Sequence, residues 1–255
     1  MYLYLYDSFL SNKKYSRLLA KTETRLTDLG IGGKIFRLSI LRNTEELLID
    51  EIKNGIKTIV VVGNDKTFSQ IINLAAKFDI PIGFIPIGSQ NEIAQMLGIP
   101  KKEEEACNTI AARIVKKIDL GKANNIYFLS NLTVSGEKLT IECDNKYRIT
   151  TKIKNQINIC NLKPLLVSNL GPKYFNPHDG FLEILIQPIN TGFFQFFKKT
   201  NVIQKSIIPF KKILICSKDS IPITTDSKKI LKTPVKIEVV PKKLKVIVGK
   251  SRVFN

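Results

Sequence analysis

Thr58-Ile-Val-Val-Val-Gly-Asn-Asp-Lys-Thr67 is the stretch on which the fold turns. The unbroken β-branched run Ile59 to Val62 reads as a strand buried on both faces, the habit of a parallel sheet. It breaks at Gly63 into a small polar turn and then into a helical pattern over Phe68–Phe78. Twenty-one residues after Thr67 the same order recurs: strand-like Ile82–Ile85 leads into Gly88-Ser-Gln-Asn-Glu-Ile-Ala94. A strand that ends in a short turn at a helix N-terminus presents main-chain N–H groups to anions, so both stretches point to a nucleotide site.

Outward from these loops, strand-like and helix-like segments alternate from Met1 to about Pro100, which predicts a parallel sheet with crossover helices. The other strands fall at Tyr2–Tyr6 and Lys34–Leu38, and helical patterns lie at Lys13–Leu29 and Thr44–Asn54, with Thr44 and Thr67 as N-caps. Asn91–Leu97 and Glu103–Lys116 read as further helices before a strand at Ile118–Leu120.

After Gly121 the pattern changes to short β-rich runs parted by Gly, Asn or Ser: Asn124–Ser130, Lys138–Cys143, Tyr147–Ile153, Gln156–Cys160 and Leu165–Asn169, then Phe181–Ile186, Lys211–Cys216, Val235–Val240 and Leu244–Val248. That spacing predicts an antiparallel sandwich or flattened barrel. The expected plan is therefore α/β plus β: residues 1–120 as an α/β nucleotide-binding domain and 121–255 as a β-rich substrate domain, with the extreme C-terminus allowed to pack back on the first.

With 255 residues, 44% hydrophobic and 24% charged, the composition is that of an ordinary globular protein. No apolar run reaches the eighteen or so residues that cross a bilayer, and Tyr2–Tyr6 meets Asp7 too soon for a signal peptide, so a cytoplasmic protein is expected. Cys107, Cys143, Cys160 and Cys216 are widely spaced and His178 is the only histidine, which leaves no ordinary zinc set. The net charge of +18 attracts polyanions. It is spread along the chain without a base-reading motif, so nucleic acid is not the expected partner.

These loops resemble those of the diacylglycerol, sphingosine and related bacterial lipid kinases, whose first loop reads Gly-Gly-Asp-Gly-Thr and whose second reads Gly-Thr-(Gly/Ala)-Asn-Asp-Phe-Ala. Three further stretches match in order: Ile118-Asp-Leu-Gly121, Asp179-Gly-Phe-Leu-Glu183 and Pro241-Lys-Lys-Leu-Lys-Val246. The resemblance implies the NAD-kinase-like fold with an active cleft between its two domains. It also implies ATP and Mg²⁺ as cofactors, phosphoryl transfer to a membrane-lipid hydroxyl, a peripheral place at the inner membrane surface, and room for a homodimer. NAD kinase itself fits the second loop and the late turn less well.

Carried over residue by residue, the resemblance makes Gly63, Asn64, Asp65, Lys66 and Thr67, with Gly88, Ser89, Asn91 and Glu92, the nucleotide-binding set. Asn64 stands for a glycine as the next most left-handed-tolerant residue. Lys66 either contacts phosphate or fills its space. The family's Asp-Gly-Glu turn corresponds to Thr225-Asp-Ser-Lys228, which makes Asp226 the base that accepts the substrate's hydroxyl proton. Lys228 reverses the charge of the family's glutamate. Asp179 takes the place of a metal ligand, preceded by His178 where an acid is common. The glycine turn that follows the family's first strand is absent from Asp7-Ser-Phe-Leu-Ser11. Each loop also reads plainly as a ligand-free turn: a helix N-terminus capped by Ser89 or Asn91, and an exposed hairpin at Asp226. Thr191-Gly-Phe-Phe-Gln-Phe-Phe-Lys-Lys199 reads either as an aromatic and basic membrane contact or as a core helix face. The changed motifs leave open a catalytically weakened relative that binds nucleotide or anionic lipid.

Overall fold

The computed structural model describes residues 1–39, 43–89, 91–162, 164, 174–189, 206–226, 228 and 230–254. The expected strand Leu165–Asn169, the segment Thr191–Lys199, Gln90 and Ser227 lie outside them. The chain forms two compact units: Met1–Ile118 with Lys242–Asn255, and Asp119–Pro241.

The first unit runs β1 (Tyr2–Tyr6), α1 (Ser16–Asp28), β2 (Gly33–Arg37), α2 (Thr44–Lys53), β3 (Thr58–Gly63), α3 (Asp65–Ala75), β4 (Ile82–Pro86), α4 (Glu92–Met96) and α5 (Glu103–Ala112). Two short 3₁₀ turns, Ser8–Ser11 and Lys13–Tyr15, join β1 to α1. The strands lie in the order β2-β1-β3-β4, all parallel, with Tyr2 beside both Gly33 and Thr58 and Ile59 beside Ile82. All of β3 and β4 is buried, as an inner parallel strand requires. Helices cover the sheet with apolar stripes: Leu19 and Leu26 of α1, Phe68, Ile71 and Ile72 of α3, and Ala106, Cys107 and Ile110 of α5 are buried. The rings of Phe68 and Phe84 stack at 4.4 Å.

The second unit is a β-sandwich. After β5 (Val115–Ala123) come β6 (Ile126–Phe128), β7 (Asn131–Gly136), β8 (Thr140–Cys143), β9 (Tyr147–Thr150), β10 (Asn155–Cys160), β11 (Leu182–Pro188), β12 (Ser206–Phe210), β13 (Lys212–Cys216), β14 (Pro222–Thr225), β15 (Ile230–Lys232) and β16 (Val235–Ile247). One antiparallel sheet has the order β12-β11-β10-β7-β14-β15. The facing layer is built by β9, β8, β13 and the first half of β16. Leu132, Ile157 and Ile184 from one layer meet Ile141, Ile213 and Ile237 from the other in a single core. The last residues of β16 return to the first unit, where Val246 pairs in parallel with Ile82.

Several elements differ from the sequence reading. Asn131–Gly136 is a strand in its own right, and β12, β14 and β15 are additional. The pattern assigned to a helix as far as Lys116 stops at Ala112, because Arg113 turns left-handed (φ 52°) and Val115 already belongs to β5. The two predicted C-terminal strands are one continuous β16. Cys107, Cys143 and Cys160 are buried free thiols and Cys216 is half-buried.

Candidate nucleotide and acid sites

Strand order reverses between β1 and β3, since the chain steps to one side to form β2 and to the other to form β3 and β4. The carboxyl ends of strands at such a reversal are where open α/β sheets bind ligands. A pocket of about 570 Å³ opens at these ends. Its walls are Ser8, Phe9, Asn12, Lys14 and Tyr15 after β1, Asn64 after β3, and Gly88 and Ser89 after β4. The size suits a small-molecule ligand, about 300–1,000 Å³. A depression of about 610 Å³ between α1 and α5 takes its walls from those two helices and includes no strand-end loop.

The three loops are tied together by their own side chains. Asp7 Oδ1 accepts from Phe9 N (3.1 Å) and Ser8 Oγ (3.2 Å), and Thr67 Oγ1 donates to Asp7 Oδ2. Asn64 Oδ1 accepts from Thr67 N at 3.2 Å and so caps α3. Asp65 Oδ2 reaches the second loop, accepting from Glu92 N (2.6 Å) and Ile93 N (3.1 Å). Burial pushes the Asp65 carboxyl up to about 6, and the main-chain donors only partly offset it. Its Oδ1 is buried without a hydrogen-bond partner among the described residues. Asn91 Nδ2 donates to Gly88 O at 3.0 Å. Gly88 sits at φ 94°, and a Cβ there would lie 3.2 Å from Phe9 Cζ, so the position needs glycine.

These contacts correct three local expectations. Asn64 is extended (φ −109°, ψ 177°), so it serves as a helix cap and not as a left-handed substitute for glycine. Thr67 is the capped residue and not the cap. Neither Ser89 nor Asn91 caps α4; Asp65 does so from the other loop. Lys66 is exposed on the first turn of α3 and is not a wall of the pocket, and Glu92 is likewise exposed. The sequence reading missed Phe9, Lys14 and Tyr15. Phe9 and Tyr15 meet edge to face at 5.3 Å, and the Lys14 ammonium lies 4.9 Å from the Tyr15 ring centre. Among the described residues the walls carry one cation, Lys14, and no carboxylate, a set suited to phosphate.

In the second unit, Asp226 follows β14. Its Oδ2 accepts from Leu129 N and Ser130 N, both at 2.8 Å, and its own N–H donates to Asn131 O at 3.1 Å. The carboxylate therefore pins the chain entering β7, leaving Oδ1 as the oxygen these amides do not engage. Lys228 is exposed at φ 62° and closes the turn through its N–H to Thr225 O at 2.9 Å.

Asp179 is exposed in a loop that it holds together with the buried Asp119. Asp179 Oδ1 accepts from Phe181 N at 2.9 Å and Asp119 Oδ2 from Gly180 N at 2.8 Å. Asp119 N donates to Pro177 O at 2.7 Å, and Asn161 Nδ2 to Asp119 O at 2.8 Å. Burial, followed by the nearby Asp119 charge, raises the Asp179 carboxyl. Among the described residues no three acid, His or Cys side chains are placed to hold a metal ion. Asp119 and Asp179 thus each hold a main-chain N–H of the loop before β11.

Glu183, 2% exposed, is pushed by burial up to about 7. A carboxyl raised from the ordinary 4.5 keeps its proton in the folded state, so stability is full below about 4.5 and falls as pH rises towards 7. Glu183→Gln is expected to remove that fall, worth on the order of 2–3 kcal/mol between pH 5 and 8. Urea unfolding of both proteins at the two pH values checks it; equal slopes would refute the assignment.

Comparison with known proteins now bears on these loops. Residues 2–123 match the family model described as the diacylglycerol kinase catalytic domain. The diacylglycerol kinase of Bacillus subtilis is 30% identical over 102 residues, 39% of this chain and 32% of that protein. That of Staphylococcus saprophyticus is 22% identical over 153 residues, 59% of this chain and 48% of that protein. The alignments thus span between about a third and a half of these curated relatives. A crystal structure of a diacylglycerol kinase from Bacillus anthracis strain Sterne superimposes with a TM-score of 0.78 at 20% identity, covering 98% of this chain and 97% of that one, a likeness of fold. Residues 2–123 are thus similar to the diacylglycerol kinase catalytic domain, and the fold of the chain is that of the solved neighbour.

Proposed function

We propose that the protein is a lipid kinase that transfers the γ-phosphoryl group of ATP to a hydroxyl of a membrane lipid. The observation that carries this reading is the pocket at the strand-order reversal, with Lys14, Asn64, Gly88 and Ser89 on its walls and no carboxylate among the described ones. Phosphoryl transfer asks a protein chiefly for positioning and charge neutralisation. Lys14 supplies a point charge to phosphate, and the hydroxyl and amide groups supply donors. Asp226 is the base for the substrate hydroxyl. The protein acts from the cytoplasm as a peripheral protein; no helix among the described residues is long and apolar enough to cross a membrane.

A specific observation favours a second reading, a relative that binds nucleotide or anionic lipid with little turnover. The amides that would greet a phosphate are already engaged: Phe9 N by Asp7, Thr67 N by Asn64, and Glu92 N and Ile93 N by Asp65. A ligand must share or displace these caps.

Thermal melting with millimolar ATP and Mg²⁺, beside a phosphate-transfer assay on diacylglycerol and sphingoid bases, separates the two. Stabilisation with transfer supports the kinase, stabilisation alone supports the second reading, and no stabilisation removes nucleotide binding from both. Lys14→Ala is expected to weaken nucleotide binding about tenfold, the worth of one hydrogen bond to a charged group. An unchanged affinity would move the nucleotide out of this pocket.

A further inference from the structure

The β14–β15 hairpin has an outer side that the proposed chemistry leaves unused. Ile230, which opens β15, is 67% exposed, the most of any large apolar side chain among the described residues. Register explains its direction. Leu231 lies opposite Ile223 and packs on the core, while Ile230 opposite Thr224 and Lys232 opposite Pro222 point away from it. Lys228, exposed in the turn, precedes Ile230 by two residues. Among the described residues β15 pairs with β14 alone, so its far edge is open. An isoleucine standing off an open edge between two cations adds nothing to the core, and its exposure asks for an occupant.

A second copy of the chain is a poor one. Two-fold pairing of two β15 edges would bring Lys232 of each copy to the seam, and edge lysines are a common obstacle to strand addition. An anionic bilayer is a good one. The lysines meet lipid phosphates while the isoleucine enters the apolar boundary between them, and the chain's net charge of +18 draws the protein to such a surface. We propose that the open edge of β15, Ile230 with Lys228 and Lys232, seats on an anionic lipid surface and holds the hairpin that carries Asp226 at head-group level. The use of this seat rests on the lipid-kinase reading; the seat itself does not.

The test is co-sedimentation of the full chain with vesicles of phosphatidylglycerol and phosphatidylcholine, or of phosphatidylcholine alone. Binding should need the anionic lipid and weaken with salt. Ile230→Asp and Lys232→Glu should each cut the vesicle-bound partition at least about fivefold, the worth of one cation near such a surface, with melting temperatures held at the parent's because both side chains are exposed. Wild-type failure to sediment, or variants that sediment like the parent, would overturn the proposal. So would concentration-dependent self-association that Ile230→Asp abolishes, which would make a second copy the occupant. Phosphate transfer to a short-chain diacylglycerol in detergent, kept by Ile230→Asp while transfer on vesicles is lost, supports the seat. Absence of transfer from the parent in both formats refutes the kinase reading and leaves the sedimentation result standing.

Discussion

Asp226→Asn is expected to fold like the parent and to lose phosphoryl transfer by about 10²–10⁴-fold, the range that general base catalysis supplies. The asparagine carbonyl can still accept from the Leu129 and Ser130 amides, which now lie 2.8 Å from the carboxylate, so the entry to β7 should keep its anchor. What the amide cannot do is take a proton. Asp226→Ala removes anchor and base together and strands two amides, which should cost about 2–3 kcal/mol of stability in addition to activity. Kinetics with thermal melts of both variants checks the pair. Transfer by Asp226→Asn at the parent's rate and pH profile would place the base elsewhere.

Gly249→Ala should be among the most damaging single substitutions for stability. A Cβ at Gly249 would lie 1.7 Å from Gly98 O, and one at Gly98 would lie 2.3 Å from Arg252 N with the backbone already at φ 70°. These two glycines let the segment after β16 lie against the end of α4, where Gly249 N donates to Leu97 O at 2.9 Å and Val253 N to Met96 O at 3.0 Å. Backbone atoms cannot swing aside as a side chain does, so the strain should cost at least about 3 kcal/mol. Gly32→Ala is the control. Nothing lies within 4 Å of its Cβ and its φ is not left-handed, so its effect should stay within about 0.5 kcal/mol. Urea midpoints compare the two, and a Gly249→Ala midpoint equal to that of the control would refute the packing argument.

Much of the first unit was legible because its inner strands β3 and β4 are apolar on both faces and its helices amphipathic, signals that survive without tertiary context. Tyr2–Tyr6 is a strand at those bounds, and Thr58 begins β3 as read. The β unit was harder to read. In β7, Leu132 and Val134 alternate with Asn131, Thr133 and Ser135, a half-buried strand that was passed over between two longer runs. β14 and β15 are held by neighbours, with Ile223 opposite Leu231, and carry too few residues to show a period. At the candidate site the residue types were visible and their partners were not. Asp65 was read for its carboxylate, yet its partners lie on a loop remote in sequence, and no local pattern shows a side chain crossing from β3 to α4. The same holds for Lys14 and Tyr15, which reach the pocket because two 3₁₀ turns replace the glycine turn after β1. The short polar runs after β1 and the Asp7-x-Phe9 spacing were the available signal, since Asp readily accepts from the amide two residues on.

The return of β16 has a consequence for how the protein is made. A nascent chain that has emerged as far as Ile118 holds every strand of its parallel sheet except the one that flanks β4, and that one is encoded beyond Lys242. The ribosome must deliver the whole sandwich, Asp119–Pro241, before this gap can close. Vectorial synthesis therefore leaves the first unit waiting with an unpaired apolar rim until the residues beyond Lys242 have emerged.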